Sequence, residues 1–179
     1  MNAIAFGGHA PTIDPTAFVA PGTQLIGDIV IGPQSSIWYN CVLRADVNRI
    51  RIGARTNVQD GSIIHVDSPR PGNEAGLATI IGDDVLIGHL VMLHGSILHD
   101  RAFVGLGSIV MDGCTVESDG MLAAGSLLAP GKTIGVGELW MGRPAKKLRD
   151  LSAEEIANNR LGVAHYAQLA VLHRAAVNA

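Results

Sequence analysis

Aromatic side chains are scarce: three Phe, two Tyr and two Trp make up 4% of 179 residues, which excludes a core built on large rings. Charge is also thin, at 16% against about 25% in an ordinary soluble domain, so little polar surface is available to keep a monomer apart from its copies. A formal charge of -3 leaves no basic footprint for nucleic acid or an anionic membrane. The only two cysteines, Cys41 and Cys114, stand far apart with no CxxC pair, so a secreted disulfide scaffold is excluded and reduced thiols in a cytoplasm are expected. No run approaches the roughly 18 apolar residues of a membrane helix. The opening MNAIAFGGHAPTIDP has neither the basic start nor the apolar block of an export signal.

Glycine, by contrast, is abundant at 22 residues, and 47% of the chain is hydrophobic. The aliphatic residues fall at intervals of six. Ile13, Val19, Leu25, Ile31, Ile37 and Leu43 form one series, Ile52, Val58 and Ile64 resume after a slip, and Ile80, Leu86, Met92, Leu98, Val104, Val110, Val116, Leu122, Leu128 and Ile134 form a third. Ile81, Ile87 and Leu93 are equally aliphatic, and the pairs Ile81-Gly82 and Ile87-Gly88 favour that register early in the third series. A period of six matches three short strands per coil of about 18 residues, with a tight turn at each corner. The predicted fold is therefore an all-β parallel β-helix of hexapeptide repeats. The repeat is similar to the left-handed hexapeptide superfamily over roughly residues 10–140, and the handedness is taken from that resemblance.

Two stretches break the period. VDSPRPGNEAGLAT, residues 66–79, has no hexad and reads as a loop thrown out of the helix. After GRPAKKLRD, Leu151, Ser152 and Glu155 form a capping box with a staple residue, predicting an α-helix from about Ala153 to Ala176. Its apolar residues Ile156, Leu161, Val163, Leu169 and Leu172 form a loose stripe, expected to pack on the β-helix or on a neighbouring subunit. The chain thus divides into a β-helix over 1–142 with its inserted loop, and a linker plus helix over 143–179.

Alternation sends His65, after inward Ile64, and His94, after inward Leu93, out of the coil. They stand 29 positions apart (94 minus 65), which is one coil of about 18 residues plus a loop of about 11. Stacked on adjacent rungs about 4.8 Å apart, two imidazoles can reach one ion at about 2.0–2.1 Å each. His89 lies a hexad earlier, on another face or corner, so a second prism packed alongside in a threefold trimer is needed to bring a third ligand. His9, His99, His165 and His173 show no such relation and are expected to be solvated.

The segments VLRADVNRIRIG, TNVQDGSIIHVD and IGHLVMLHGS resemble the γ-class carbonic anhydrases and bacterial relatives labelled ferripyochelin-binding or phenylacetate-degradation proteins. The resemblance implies a left-handed β-helix homotrimer with metal between subunits, His65 and His94 from one chain and His89 from its neighbour. It implies zinc, with iron(II) or cobalt(II) also suited to imidazole, and reversible hydration of CO2 to bicarbonate by a metal-bound hydroxide. Arg44 and Asp46 match a pair that forms an ion pair across the trimer interface; Asn57 and Gln59 match polar residues lining the site, with Gln59 also facing substrate. Tyr166 matches a tyrosine that approaches the site in some relatives, although an aromatic packing anchor is the plainer reading. The chain departs from the family's shuttling pattern: Val47 and about Ser68 stand where proton-carrying glutamates are found, with Asp67 and Glu74 available in the loop. Two other functions stay open, a metal-binding trimer without appreciable CO2 hydration and a hexapeptide acyltransferase using acetyl-CoA.

Overall fold

A computed structural model describes residues 1–177. The chain winds as a left-handed parallel β-helix of about eight turns, closed by one C-terminal helix. Each coil lays a short strand on each of three faces. The first face stacks the leading halves of Gln24–Ile31 and Val42–Ile52 under Ile63–His65, Met92–His94, Ile109–Val110 and Leu127–Leu128. The second carries the trailing halves of the two long strands, then Thr79–Ile81, Ile97–Leu98, Thr115–Val116 and Thr133–Ile134. The third runs from Phe18–Val19 through Ser36–Ile37, Asn57–Val58, Leu86–Ile87, Phe103–Val104 and Met121–Leu122 to Glu138–Gly142.

The core is a column of aliphatics, one per strand. Ile81, Ile87 and Leu93 are buried and Met92 is exposed, which fixes the register that the Ile-Gly pairs favour. The next inward residue is Leu98, so the corner between Leu93 and Leu98 is one residue shorter than the repeat. Deleting such a side chain, as in Leu93→Ala, removes about 2–5 kcal/mol because the rigid coils above and below cannot close the void.

At the corner where the second face turns into the third, Gln34, Arg55, Asp84, Arg101 and Asp119 all adopt left-handed backbone, with φ between 53° and 63°. They stack coil on coil, each backbone N–H from Arg55 onward donating to a carbonyl of the coil below, as Arg55 does to Pro33 at 2.9 Å and Arg101 to Asp83 at 2.9 Å. Their charges alternate, and Arg55 pairs with Asp84 at 2.6 Å and Arg101 with Asp119 at 3.2 Å.

The loop predicted over 66–79 is narrower: Val66 stays in the core and Thr79 opens the strand Thr79–Ile81, while the residues between form a small hairpin bridged at Asp67–Leu77 and Arg70–Asn73. Asn48 Nδ2 pins it by donating to the carbonyls of Asp67 at 3.2 Å and Ala75 at 2.9 Å. Beyond the last coil, residues that read as linker form the strand Ala145–Asp150, antiparallel to Glu138–Gly142.

The helix spans Ala153–Val177, and its capping box is closed in both directions: Ser152 N–H donates to Glu155 Oε2 at 2.8 Å, and Glu155 N–H to Ser152 Oγ at 3.2 Å. It lies on the third face of its own β-helix, where Phe18 and Trp38 point outward and meet Tyr166 and Ala170. Val163 is buried, whereas Leu161 and Leu172 face away from the β-helix. His173, expected in solvent, is instead half-buried against Trp38, ring centroids 4.9 Å apart, with its Nδ1 2.9 Å from the Tyr39 hydroxyl. Four of the seven Phe, Tyr and Trp residues, Phe18, Trp38, Tyr39 and Tyr166, gather at this seam.

Candidate metal centre

Ile64 and Leu93 are wholly buried on neighbouring strands, so the residues after them point outward, and the register sets His94 directly against His65. His65 Nδ1 and His94 Nε2 lie 3.0 Å apart. The remaining nitrogen of each ring meets a carboxylate: His65 Nε2 is 3.1 Å from Asp46 Oδ1, and His94 Nδ1 is hydrogen-bonded to Asp112 Oδ1. Arg44 Nη1 donates to the second oxygen of Asp46 at 2.5 Å. Within one chain, Arg44 and Asp46 thus pair along a single strand.

These contacts favour one placement of the hydrogens on two neutral rings. A carboxylate only accepts, so each imidazole turns its N–H toward its aspartate and its lone pair toward the other ring. Two lone pairs at 3.0 Å repel unless a cation lies between or beside them. Two nitrogens each about 2.0–2.1 Å from a tetrahedral ion lie about 3.3 Å apart, so the donors fit a metal with a small adjustment. Carboxylate-backed imidazoles are also the usual outer support of zinc ligands. Burial pushes the His65 pKa down, more than Asp46 pulls it up, which favours the neutral ligand form. Burial alone would raise the Asp46 pKa, but hydrogen bonds from His65 and Arg44 hold it below the ordinary value.

His89 is elsewhere. It sits at the corner between the third and first faces, with Nδ1 2.9 Å from Asp60 Oδ2. Among the described residues no group of three His, Cys, Asp or Glu on one chain is close enough to hold an ion. Asn57 and Gln59 lie on the third face, one coil from the His89 corner, both buried; Gln59 Nε2 donates to Asn57 Oδ1 at 3.1 Å, and Gln59 N–H to the Ile87 carbonyl at 2.9 Å. The chain thus carries two polar clusters at opposite edges of the first face: Arg44, Asp46, His65, His94 and Asp112 at one, Asn57, Gln59, Asp60 and His89 at the other. Between them the face is apolar, with Ile63 and Met92 exposed at 40% and 42%.

The other candidates are engaged or remote from this chemistry. Val47 is exposed and carries no proton. Asp67 accepts from Ser68 N–H and Arg70, and Glu74 from Gly72 N–H, all inside the loop. Tyr166 packs edge-on against Trp38 at 5.5 Å. The Cys41 thiol, pushed up to about 11 by burial, is a packing group. Asp60 and Asp112 are missing from the residues read from the sequence, although Asp112 follows His94 by one coil length and Asp60 follows Gln59 directly.

This arrangement, a stacked His65–His94 pair on a hexapeptide β-helix, defines the class of left-handed β-helix proteins with outward-facing side chains at the strand edges. The chain is 48% identical to mitochondrial γ carbonic anhydrase 1 of Arabidopsis thaliana over 166 residues, 93% of this chain and 60% of that protein. It is 42% identical to protein YrdA of Escherichia coli over 156 residues, 87% of this chain and 85% of that one. A solved hexapeptide transferase family protein from Anaplasma phagocytophilum superposes with a TM-score of 0.86 at 44% identity, covering 94% of this chain and 95% of that one. The chain matches no protein-family model. It belongs to the γ-class carbonic anhydrase family, and spans about three fifths of the length of the plant relatives.

Proposed function

We propose that the protein is a metal-dependent homotrimer that interconverts CO2 and bicarbonate, each metal held by His65 and His94 of one subunit and His89 of the next. The observation that carries this reading is the meeting of His65 Nδ1 and His94 Nε2 at 3.0 Å, each ring backed on its other nitrogen by a carboxylate. The apolar first face between the two polar clusters supports the trimer, since burying it against a copy would bring the two edges together. Zinc is the proposed ion, with iron(II) or cobalt(II) as its competitors for imidazole, and the proposed location is the cytoplasm, with which the two free cysteines are compatible.

Held by three neutral imidazoles, such an ion would supply an acidified water with a pKa of about 7, the figure known for carbonic anhydrases themselves. The protein's own residues orient and select. Asp46 and Asp112 hold the two rings, and Arg44 fixes Asp46. Gln59 commits one side-chain N–H to Asn57 and keeps its side-chain carbonyl oxygen to accept a hydrogen bond from bicarbonate. With Val47 beside Asp46 and both loop carboxylates engaged, a proton leaves directly to buffer, so hydration is slow and rises with buffer concentration.

The absent carrier at Val47 also favours a second reading, a metal trimer without appreciable hydration. Metal content per subunit and stopped-flow CO2 hydration, with His89→Ala as control, separate the two. About one metal per subunit, with hydration lost in the variant, supports the enzyme; stoichiometric metal without hydration supports the second reading. Coenzyme A binding without metal would move the protein to acyl transfer; the Anaplasma relative is named a transferase.

A further inference from the structure

We propose that Asp112 is a positioning residue of the metal centre, which sets the tautomer of His94; this rests on the metal reading above. Asp112 follows the strand Ile109–Val110 at the corner one coil beyond His94. Its carboxylate makes no ion pair among the described residues except with His94. The backbone around it is pinned on both sides: Gly113 N–H donates to the Gly95 carbonyl at 2.8 Å, and Gly131 N–H to the Asp112 carbonyl at 2.9 Å. The carboxylate is therefore delivered by the scaffold.

Gly95 makes the space. It directly follows His94 with φ of +48°, and a Cβ there would meet Asp112 Oδ1 at 2.8 Å and Leu77 Cβ at 2.9 Å. Any larger residue would push the carboxylate off the imidazole or displace the root of the inserted loop. The small residue, the turn and the aspartate thus act as one unit, whose effect is to put the hydrogen of His94 on Nδ1. That leaves the Nε2 lone pair aimed at the point His65 also faces. Asp46 does the same for His65 with the opposite ring nitrogen, so the two tautomers are complementary and neither ring is free to turn its N–H into the shared space.

Removing the carboxylate should release His94 to the Nε2–H tautomer, which blocks the donor. The test uses the full chain, stripped of metal, as wild type and as Asp112→Ala, Asp112→Asn and Gly95→Ala. Nitrogen-15 spectra of the imidazoles assign the tautomer, and competition with a chelator gives zinc affinity. Expected are an Nδ1–H tautomer for His94 in the wild type, its loss in Asp112→Ala, and a fall in zinc affinity of about 10- to 100-fold. Asp112→Asn keeps an accepting oxygen and the same shape, so it should fold normally and lose less than the alanine variant; Gly95→Ala should move the tautomer in the same direction as Asp112→Ala. An unchanged His94 tautomer in Asp112→Ala, or zinc affinity within twofold of wild type, overturns the role. If wild-type protein takes up no zinc, the functional reading fails, and the tautomer spectra still report separately whether Asp112 orients His94.

Discussion

Asp46 divides its carboxylate between two donors, Arg44 Nη1 at 2.5 Å on one oxygen and His65 Nε2 at 3.1 Å on the other. The division ranks the two residues. Asp46→Asn should weaken zinc binding by about 10- to 100-fold, the usual cost of losing the carboxylate behind a ligating histidine. Arg44 is 45% exposed, so Arg44→Ala should cost no more than about 1 kcal/mol in urea unfolding and weaken zinc binding less than Asp46→Asn does. Titration of the metal-free proteins with zinc checks both; equal affinity in wild type and Asp46→Asn would remove the carboxylate from the account.

The first face should be the surface on which copies meet. Met92→Glu, alone or with Ile63→Glu, places charge in the apolar strip between the two polar clusters without touching a histidine. Sedimentation of the wild type should give a trimer and the variant a monomer with the same circular dichroism, and the monomer should fail to retain metal because His89 then stays apart from His65 and His94. A variant that remains trimeric would show that another face makes the contact.

Acid stability should depend on Glu138 at the end of the β-helix. Lys147 Nζ, the Trp140 indole N–H and the Gly135 N–H converge on its carboxylate and hold its pKa down to about 2, from an ordinary 4.5. Because the folded value lies below the unfolded one, folding favours the ionised form. That contribution is complete above about pH 4.5 and is lost as the pH falls toward 2. Glu138→Gln should therefore unfold more readily at pH 7 and lose less further stability between pH 4.5 and 2 than wild type. Parallel pH dependences for the two proteins, by thermal melting, would contradict this.

Much of the fold is legible in the sequence because one physical rule recurs: each short strand buries one aliphatic, so the period of Ile, Val and Leu is the period of the coil. The rule also places His65 and His94, one position beyond buried Ile64 and Leu93. It fails where corners differ in length, as between Leu93 and Leu98, because turn residues carry no hydrophobic signal. It fails again at Ala145–Asp150, where KKLRD reads as solvated chain yet pairs as an edge strand. Asp60 and Asp112 escape for a related reason, since a carboxylate at a corner looks the same whether it faces water or a ring. The burial of His173 depends on Phe18, Trp38 and Tyr39, which are more than a hundred residues away in the chain.

The column Arg55, Asp84, Arg101 and Asp119 also bears on how such a protein can change length. Coils resemble bricks, and losing one of them leaves the aliphatic stack and the backbone ladder intact. Yet excising the coil that carries Asp84 would set Arg55 beneath Arg101, and excising the one that carries Arg101 would set Asp84 beneath Asp119, exchanging attraction for repulsion at a crowded corner. Removal of two adjacent coils, about 36 residues, restores the alternation. Along this edge the natural unit of growth or loss is a pair of turns.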